Sequence, residues 1–145
     1  MIRAYKLSDK SALIAIIELH TPTFFASSEK EEFDKYLAEE LEQYFVIEIN
    51  GQVIGAGGIN YFLHARKARI SWDMIHPDFQ GKGYGSKLIE HRIDVIKSNP
   101  KVEKIIVRTS QFVYPFYEKN GFELQSIGKD FWGGGYDLYL MEYKN

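Results

Sequence analysis

An α/β domain is the fold this chain predicts, on three observations. A β-like run, Ala68 to Ile75, enters a loop carrying glycines at the alternate positions Gly81, Gly83 and Gly85, and an amphipathic helix leaves it. Other β-like runs alternate with helical stretches whose apolar residues fall on one face. The 145 residues hold no linker, repeat or low-complexity tract, which suits one domain, residues 1–145, with a sizeable core.

The elements follow in order. Ile2 to Lys6 reads as a short strand. Ser8 is placed to cap a helix whose apolar positions are Leu13, Ile14, Ile16 and Ile17. The segment around Pro22 breaks it. Ser28 and Glu31 have capping-box spacing before a helix carrying Phe33, Tyr36, Leu37 and Leu41. Tyr44 to Ile49 is a strand, Asn50-Gly51 a two-residue hairpin turn, and Gln52 to Tyr61 the returning strand. Gly55, Gly57 and Gly58 mark a bulge or a close backbone approach there. His64 to Lys67 turns into the strand Ala68 to Ile75. After the glycine loop, Leu88, Ile89, Ile93 and Ile96 stripe a helix that Pro100 follows. Lys104 to Arg108 is a buried strand. Pro115 suits the first turn of a short helix, and Gly121 its left-handed cap. Two strands remain, near Glu123 to Ile127 and Tyr136 to Tyr143.

Composition excludes several classes. A formal net charge of −2 argues against a nucleic-acid binder. No long apolar run predicts a membrane span, and Met1 to Lys6 lack the apolar core of a signal peptide. Cysteine is absent, which removes disulfides, thiolate metal sites and a cysteine nucleophile and is compatible with a cytoplasmic protein. His20, His64, His76 and His91 lack ligand spacing, so no metal is expected.

The glycine loop presents bare main-chain N–H groups at a helix N-terminus, where the helix dipole favours anions. Without side chains, the glycines let a phosphate approach closely. A pyrophosphate is the ligand this implies. A P-loop would need Lys directly after the last glycine, but Ser86 intervenes before Lys87. A dinucleotide fingerprint counted from Gly81 would need glycine where Ser86 stands.

What fits is Gln-x-x-Gly-x-Gly, read as Gln80, Gly83 and Gly85. Downstream lies Phe116-Tyr117-Glu118-Lys119-Asn120-Gly121-Phe122. With both motifs in this order, the chain resembles the GNAT superfamily of acyl-CoA-dependent N-acyltransferases. The resemblance implies a mixed sheet with the element order β-α-α-β-β-β-α-β-α-β-β. Strands 4 and 5 are then parallel and splayed at one end, admitting the pantetheine arm of coenzyme A. It implies acetyl-CoA as co-substrate, with its pyrophosphate on Gly81, Lys82, Gly83, Tyr84, Gly85 and Ser86. Gln80 bonds the pantetheine or braces the loop. Lys82 adds charge or is simply solvated. Main-chain groups of Met74 and Ile75 are expected to pair with the pantetheine amides, and one N–H there to receive the oxyanion.

Moving an acetyl group from a thioester to an amine needs a neutral, well-aimed amine, an oxyanion donor and a proton for the thiolate. Without cysteine, direct transfer in a ternary complex is expected. The resemblance places Tyr117 beside the CoA sulfur as general acid, with positioning as its other role. Where many relatives carry Asn, this chain has Ser110, whose shorter hydroxyl is expected to reach the pantetheine of the cofactor; where some carry a base glutamate, it has Arg69. The base stays open among Asp73, Glu48, His64 and a water chain, and Asp73 also counts as a substrate-pocket residue. The acceptor pocket is expected from Thr23, Phe24 and Phe25 with Phe131, Trp132 and the glycines near Gly134. The acceptor is a small-molecule amine or a protein amine, with neither nucleic acid nor membrane as partner; a homodimer is compatible. The alternative is a non-catalytic CoA-binding sensor or interaction domain on the same fold.

Overall fold

The computed structural model describes every residue except Pro22, Phe24, Ala26 and Asn145. Its strands are β1 (Ile2–Ala4), β2 (Gln43–Ile49), β3 (Gln52–Phe62), β4 (Lys67–Ile75), β5 (Lys104–Thr109), β6 (Phe122–Gly133) and β7 (Tyr136–Tyr143). The helices are α1 (Lys10–His20), α2 (Glu29–Glu39), α3 (Tyr84–Lys97) and α4 (Tyr114–Lys119). The strands form one seven-stranded sheet in the order β1-β2-β3-β4-β5-β7-β6. All neighbours are antiparallel except β4 and β5. The mixed sheet and its parallel centre are as the sequence implied.

The parallel ladder is short. It runs from Lys67 opposite Lys104 to Ile70 opposite Val107 and then stops. The reason lies in β4. Its register against β3 shifts between Ala56 and Gly58, so that Met74 faces Ala56 while Ser71 faces Gly58. The extra residue makes a bulge around Trp72 and Asp73, which bends the strand away from its neighbour. Trp72 stands at φ 51°, a conformation that bulky residues rarely adopt. Its carbonyl and its ring are both held, the ring among Phe25, Phe33 and Tyr36. Tyr44 donates its hydroxyl to the Trp72 carbonyl at 2.7 Å, and Phe25 stacks on the Trp72 ring at 6.2 Å. Beyond Ile70, β4 has only β3 as a strand partner among the described residues, while β5 continues against β7. The two strands therefore part.

Each face of the sheet is packed by its own helices. Beneath α3 and α4, Ile70 and Val107 join Ile89, Ile93 and Phe122 in one core. On the other face, Leu13 and Ile17 of α1 and Phe33 and Tyr36 of α2 cover Tyr44, Val46 and Ala56. Each such aliphatic or aromatic side chain contributes about 1.5–3 kcal/mol by leaving water.

Local expectations held at the turns. Asn50 and Gly51 both have positive φ, as a type I′ hairpin requires. Gly121 takes φ 93° after α4. Other details differ. The cap of α1 is Asp9 rather than Ser8, because Leu7–Asp9 first make a 3-10 turn. The Asp9 carboxylate accepts from Lys6 N and two Arg3 nitrogens, so it is spent on anchoring β1. Ser28 does precede α2, but its side chain makes no cap bond. Helix α2 ends at Glu39, leaving Leu41 exposed rather than on the packed face. Strand β6 runs on to Gly133 instead of ending near Ile127. Its continuation is held by Asp137 Oδ1, which accepts from Asp130 N, and by Asp130 Oδ1, which accepts from Gly135 N. No helix among the described residues is long and apolar enough to cross a membrane.

Candidate functional site

Where β4 and β5 part, a cleft of about 600 Å³ passes through the sheet. Residues of both faces line it, from Phe25 and Trp132 on one side to Tyr84, Phe116 and Tyr117 on the other. The gap therefore joins two chemically different mouths.

The first mouth lies at the N-terminus of α3. A 3-10 turn, Pro77–Phe79, leads into the glycine loop, and Gly83 caps the helix at φ 86°. Gly81 has φ 74°. A Cβ built on either glycine would meet nothing within 4 Å, so the loop bounds open space. Gly85 differs. Its Cβ would stand 2.8 Å from the Phe116 ring, so its smallness seats α3 against α4. A left-handed turn of bare N–H groups at the start of a 14-residue helix fits a pyrophosphate. The donors and the room suit coenzyme A. Gln80 Nε2 reaches the Ile75 carbonyl at 3.5 Å, which favours bracing for Gln80. Lys82 lies over the Phe79 ring, 5.6 Å from its centroid.

The edge of β4 facing the gap, from Ser71 to Ile75, has no strand partner and is free to pair with an extended chain. One expected group is already engaged. The Ile75 carbonyl lies 2.6 Å from His20 Nε2, and because a carbonyl only accepts, Nε2 carries the proton. His20 is buried at the end of α1. Sequence reasoning set it aside as a histidine without ligand spacing, and it bridges α1 to the end of β4 instead.

Ser110 is buried where β5 turns into α4. Its Oγ accepts from Phe112 N at 3.3 Å and its carbonyl from Tyr114 N at 3.0 Å, so it closes that turn while lining the cleft.

At the centre lies a network that the local sequence conceals. Tyr117, only 4% exposed, donates its hydroxyl to Asp73 Oδ2 at 2.6 Å. Asp73 Oδ1 receives Nη1 of Arg92, a residue of α3 that is 0% exposed. Arg92 Nη1 also donates to the Gly58 carbonyl at 3.1 Å, and its Nε to the Leu88 carbonyl at 3.3 Å. Its Nη2 is buried without a hydrogen bond among the described residues. Gly57 makes the space. A Cβ there would come within 2.8 Å of both the guanidinium and the Asp73 carboxylate. Burial works against the charge of Arg92, and Asp73 more than offsets it, so the arginine pKa lies above its usual value. Burial first, then the Asp73 charge, lifts the Tyr117 phenol well above its ordinary pKa of 10.

Of the base candidates, only Asp73 is in the cleft. Glu48 is ion-paired with Arg3 on β1, and His64 sits in a turn before β4. Both lie outside the cleft lining. Asp73 itself is committed to Arg92 and Tyr117, which makes it a poor acceptor-binding group.

The second mouth is built by the α1–α2 segment and the β6–β7 hairpin. Phe25 lies over Trp72. Trp132 donates Nε1 to the Thr109 carbonyl at 3.2 Å, and Gln111 donates Nε2 to the Gly135 carbonyl at 2.7 Å, which docks the hairpin tip on the end of β5. Phe131 is largely exposed, Thr23 is exposed outside the lining, and Phe24 lies outside the described residues. Among the described residues, no group of three or more His, Cys, Asp or Glu side chains could hold a metal ion.

Comparison with known proteins agrees with the fold and names the family. The chain is similar to an amino-acid acetyltransferase of Pasteurella multocida, 28% identical over 130 residues, which cover 87% of this chain but only 28% of that protein. The fold superposes on the ribosomal-protein-S18-alanine N-acetyltransferase of Escherichia coli with a TM-score of 0.78 at 22% identity, covering 99% of this chain and 92% of that one. It also superposes on an aminoglycoside 6′-N-acetyltransferase solved with coenzyme A, with a TM-score of 0.78 at 14% identity, covering 98% and 95%. Residues 13–122 match the sequence profile described as the acetyltransferase (GNAT) family, and the chain belongs to that family.

Proposed function

We propose that residues 1–145 act as one acetyltransferase domain that moves the acetyl group of acetyl-CoA to a primary amine, both substrates being bound together. The observation that carries this reading is the through-sheet cleft. It has a pyrophosphate cradle at one mouth, a separate aromatic mouth at the other, and a buried tyrosine between them. The coenzyme A in one structural neighbour and the amino-acid acetyltransferase among the relatives support it.

The N–H groups from Gly81 to Ser86 hold the pyrophosphate. The unpaired edge of β4 aligns the pantetheine, with the Ile75 carbonyl left to His20 and the Met74 main chain, which pairs with Ala56, turned toward β3 and not to the gap as expected. An N–H on that edge receives the developing oxyanion. Tyr117 gives a proton to the departing thiolate. Its high pKa keeps it protonated at neutral pH, and it also makes the phenol a reluctant acid. The O–H must therefore turn from Asp73 toward the sulfur as negative charge grows there. Asp73, held by Arg92, aims the phenol. One ammonium proton of the acceptor leaves to water in the cleft before attack, and the second nitrogen proton, shed as the amide forms, returns through that water to the Tyr117 phenolate. We place this activity in the cytoplasm, where cysteine-free chains need no oxidising compartment.

The test is a panel of amines incubated with acetyl-CoA, following CoA release. Initial-rate lines that intersect as both substrates vary are expected. Parallel lines, or an acetylated protein trapped as a competent intermediate, would overturn direct transfer.

A further inference from the structure

The acceptor mouth holds two arginines that the chemistry above does not use. Arg69 of β4 stands in register with Ile106 of β5. Side chains alternate along a strand, so Arg69, Ile106 and, two residues on, Arg108 share one face. It is the face opposite Ile70 and Val107, which belong to the core under α3. Both arginines line the cleft, and both also line an adjoining hollow with Asn60, Phe62 and the carboxylates Glu39, Glu40 and Glu42, none of which pairs with either arginine within 4.0 Å.

The chain has five arginines. Arg3, Arg66 and Arg92 each hold a carboxylate. Among the described residues, Arg69 and Arg108 pair with none within 4.0 Å and donate no side-chain hydrogen bond. They are placed by rings instead. Arg69 lies over Phe62, 5.0 Å from its centroid, and Arg108 lies 5.2 Å from both Phe131 and Trp132. Cation–π contact of this kind positions a guanidinium without using its N–H donors. The two are close enough to feel each other, since burial first and the Arg69 charge second lower the Arg108 pKa. Two half-buried like charges with unused donors on one face are a pair that an anion would complete through charge-assisted hydrogen bonds. Glu29 and Glu32 of α2 line the same cleft, so the mouth presents both signs of charge.

We infer that Arg69 and Arg108 form a carboxylate subsite, and that the acceptor is a small zwitterionic amine of the amino-acid type rather than a polyamine. The inference rests on the acetyl-transfer reading and names the acceptor class for that same cleft. The carboxylate docks on the two guanidinium edges, and the amine extends into the gap between β4 and β5.

The experiment compares free amino acids with their C-terminal amides and with polyamines, by CoA release in the full chain. Amino acids are expected to exceed their amides in kcat/KM by about 10²-fold, the worth of two charge-assisted hydrogen bonds at ~1.5 kcal/mol each. Arg69→Gln and Arg108→Gln are expected to raise KM for the amino acid and erase the preference over the amide, with the acetyl-CoA dissociation constant unchanged. A variant that alters kcat and KM equally for acid and amide overturns the subsite. So does a wild-type protein that acetylates amides or polyamines as well as amino acids, although acetyl transfer then stands. If no amine releases CoA, calorimetry on the CoA-loaded protein decides. Binding of an amino acid but not its amide upholds the subsite, binding of neither overturns it, and failure of CoA itself to bind overturns the acetyl-transfer reading.

Discussion

The two mouths of the cleft are made in different ways. The cofactor mouth is contiguous. Residues 75–89 supply the end of β4, the glycine loop and the start of α3, and residues 110–122 supply α4 and its flanks. The acceptor mouth is gathered from Phe25, Glu32, Arg69, Arg108 and Trp132, each on a different element or connection. Binding a pyrophosphate uses main-chain donors, which a local turn can present by itself. Recognising an acceptor uses side chains that only the tertiary fold brings together.

The largest effect that separates the mouths is expected from Tyr117→Phe. The ring, its packing on Phe122 and cofactor affinity should persist, while kcat falls by roughly 10²–10⁴-fold. Because the phenol pKa lies well above 10, loss of activity through its ionisation belongs above pH 10 in the wild type, and a limb nearer neutrality must come from another group. A near-normal kcat under conditions where chemistry limits the rate would reduce Tyr117 to packing.

Gly83→Val should act on the cofactor mouth alone. The residue sits at φ 86°, which a β-branched side chain resists, and the new methyls would enter the open cradle. Loss of one or more N–H contacts to an anion predicts roughly 10–100-fold weaker acetyl-CoA binding. Calorimetry on a variant shown to be folded measures it, and unchanged affinity would remove the loop from the cofactor site.

The smallest effect is expected from Trp132→Ala, at the other mouth. It deletes the bond to the Thr109 carbonyl and one of the two rings beside Arg108. KM for the acceptor should rise about tenfold, in line with ~1–2 kcal/mol of lost ring packing and cation–π contact, with acetyl-CoA binding intact. Parallel losses at both mouths would mean that the hairpin supports the whole cleft rather than the acceptor side.

The same contrast explains what could be read before the structure. Asn50-Gly51, the loop from Gly81 to Gly85 and Gly121 are local signals, and each turned where it was expected to turn. Arg92 gave no such signal. On its helix it reads as one more polar position, and the room for its guanidinium is made by Gly57 on a distant strand. Trp72 was equally hidden, since its bulge depends on Tyr44 and Phe25 rather than on a glycine or proline of its own. The extension of β6 depends on Asp130 and Asp137 bonding across the hairpin, a pairing that has meaning only once the hairpin exists. Arg69 was noted as a departure from a family pattern, but its kinship with Arg108 required the β4–β5 register.

The brevity of that register also has a mechanical side. Four residue pairs, with the Arg66 carbonyl accepting from Glu103 N and Lys104 N at their start, make the strand seam between one half of the sheet, β1 to β4, and the other, β5 to β7. A thioester arm lying along the unpaired edge of β4 would lengthen the seam, acting as a suture between two half-sheets. The protein with its nucleotide seated should then resist unfolding as a single body. Without it, the amides of Lys104 to Val107 should exchange their hydrogens sooner than those of the long β3–β4 ladder, because a ladder of four pairs opens more cheaply than one of seven.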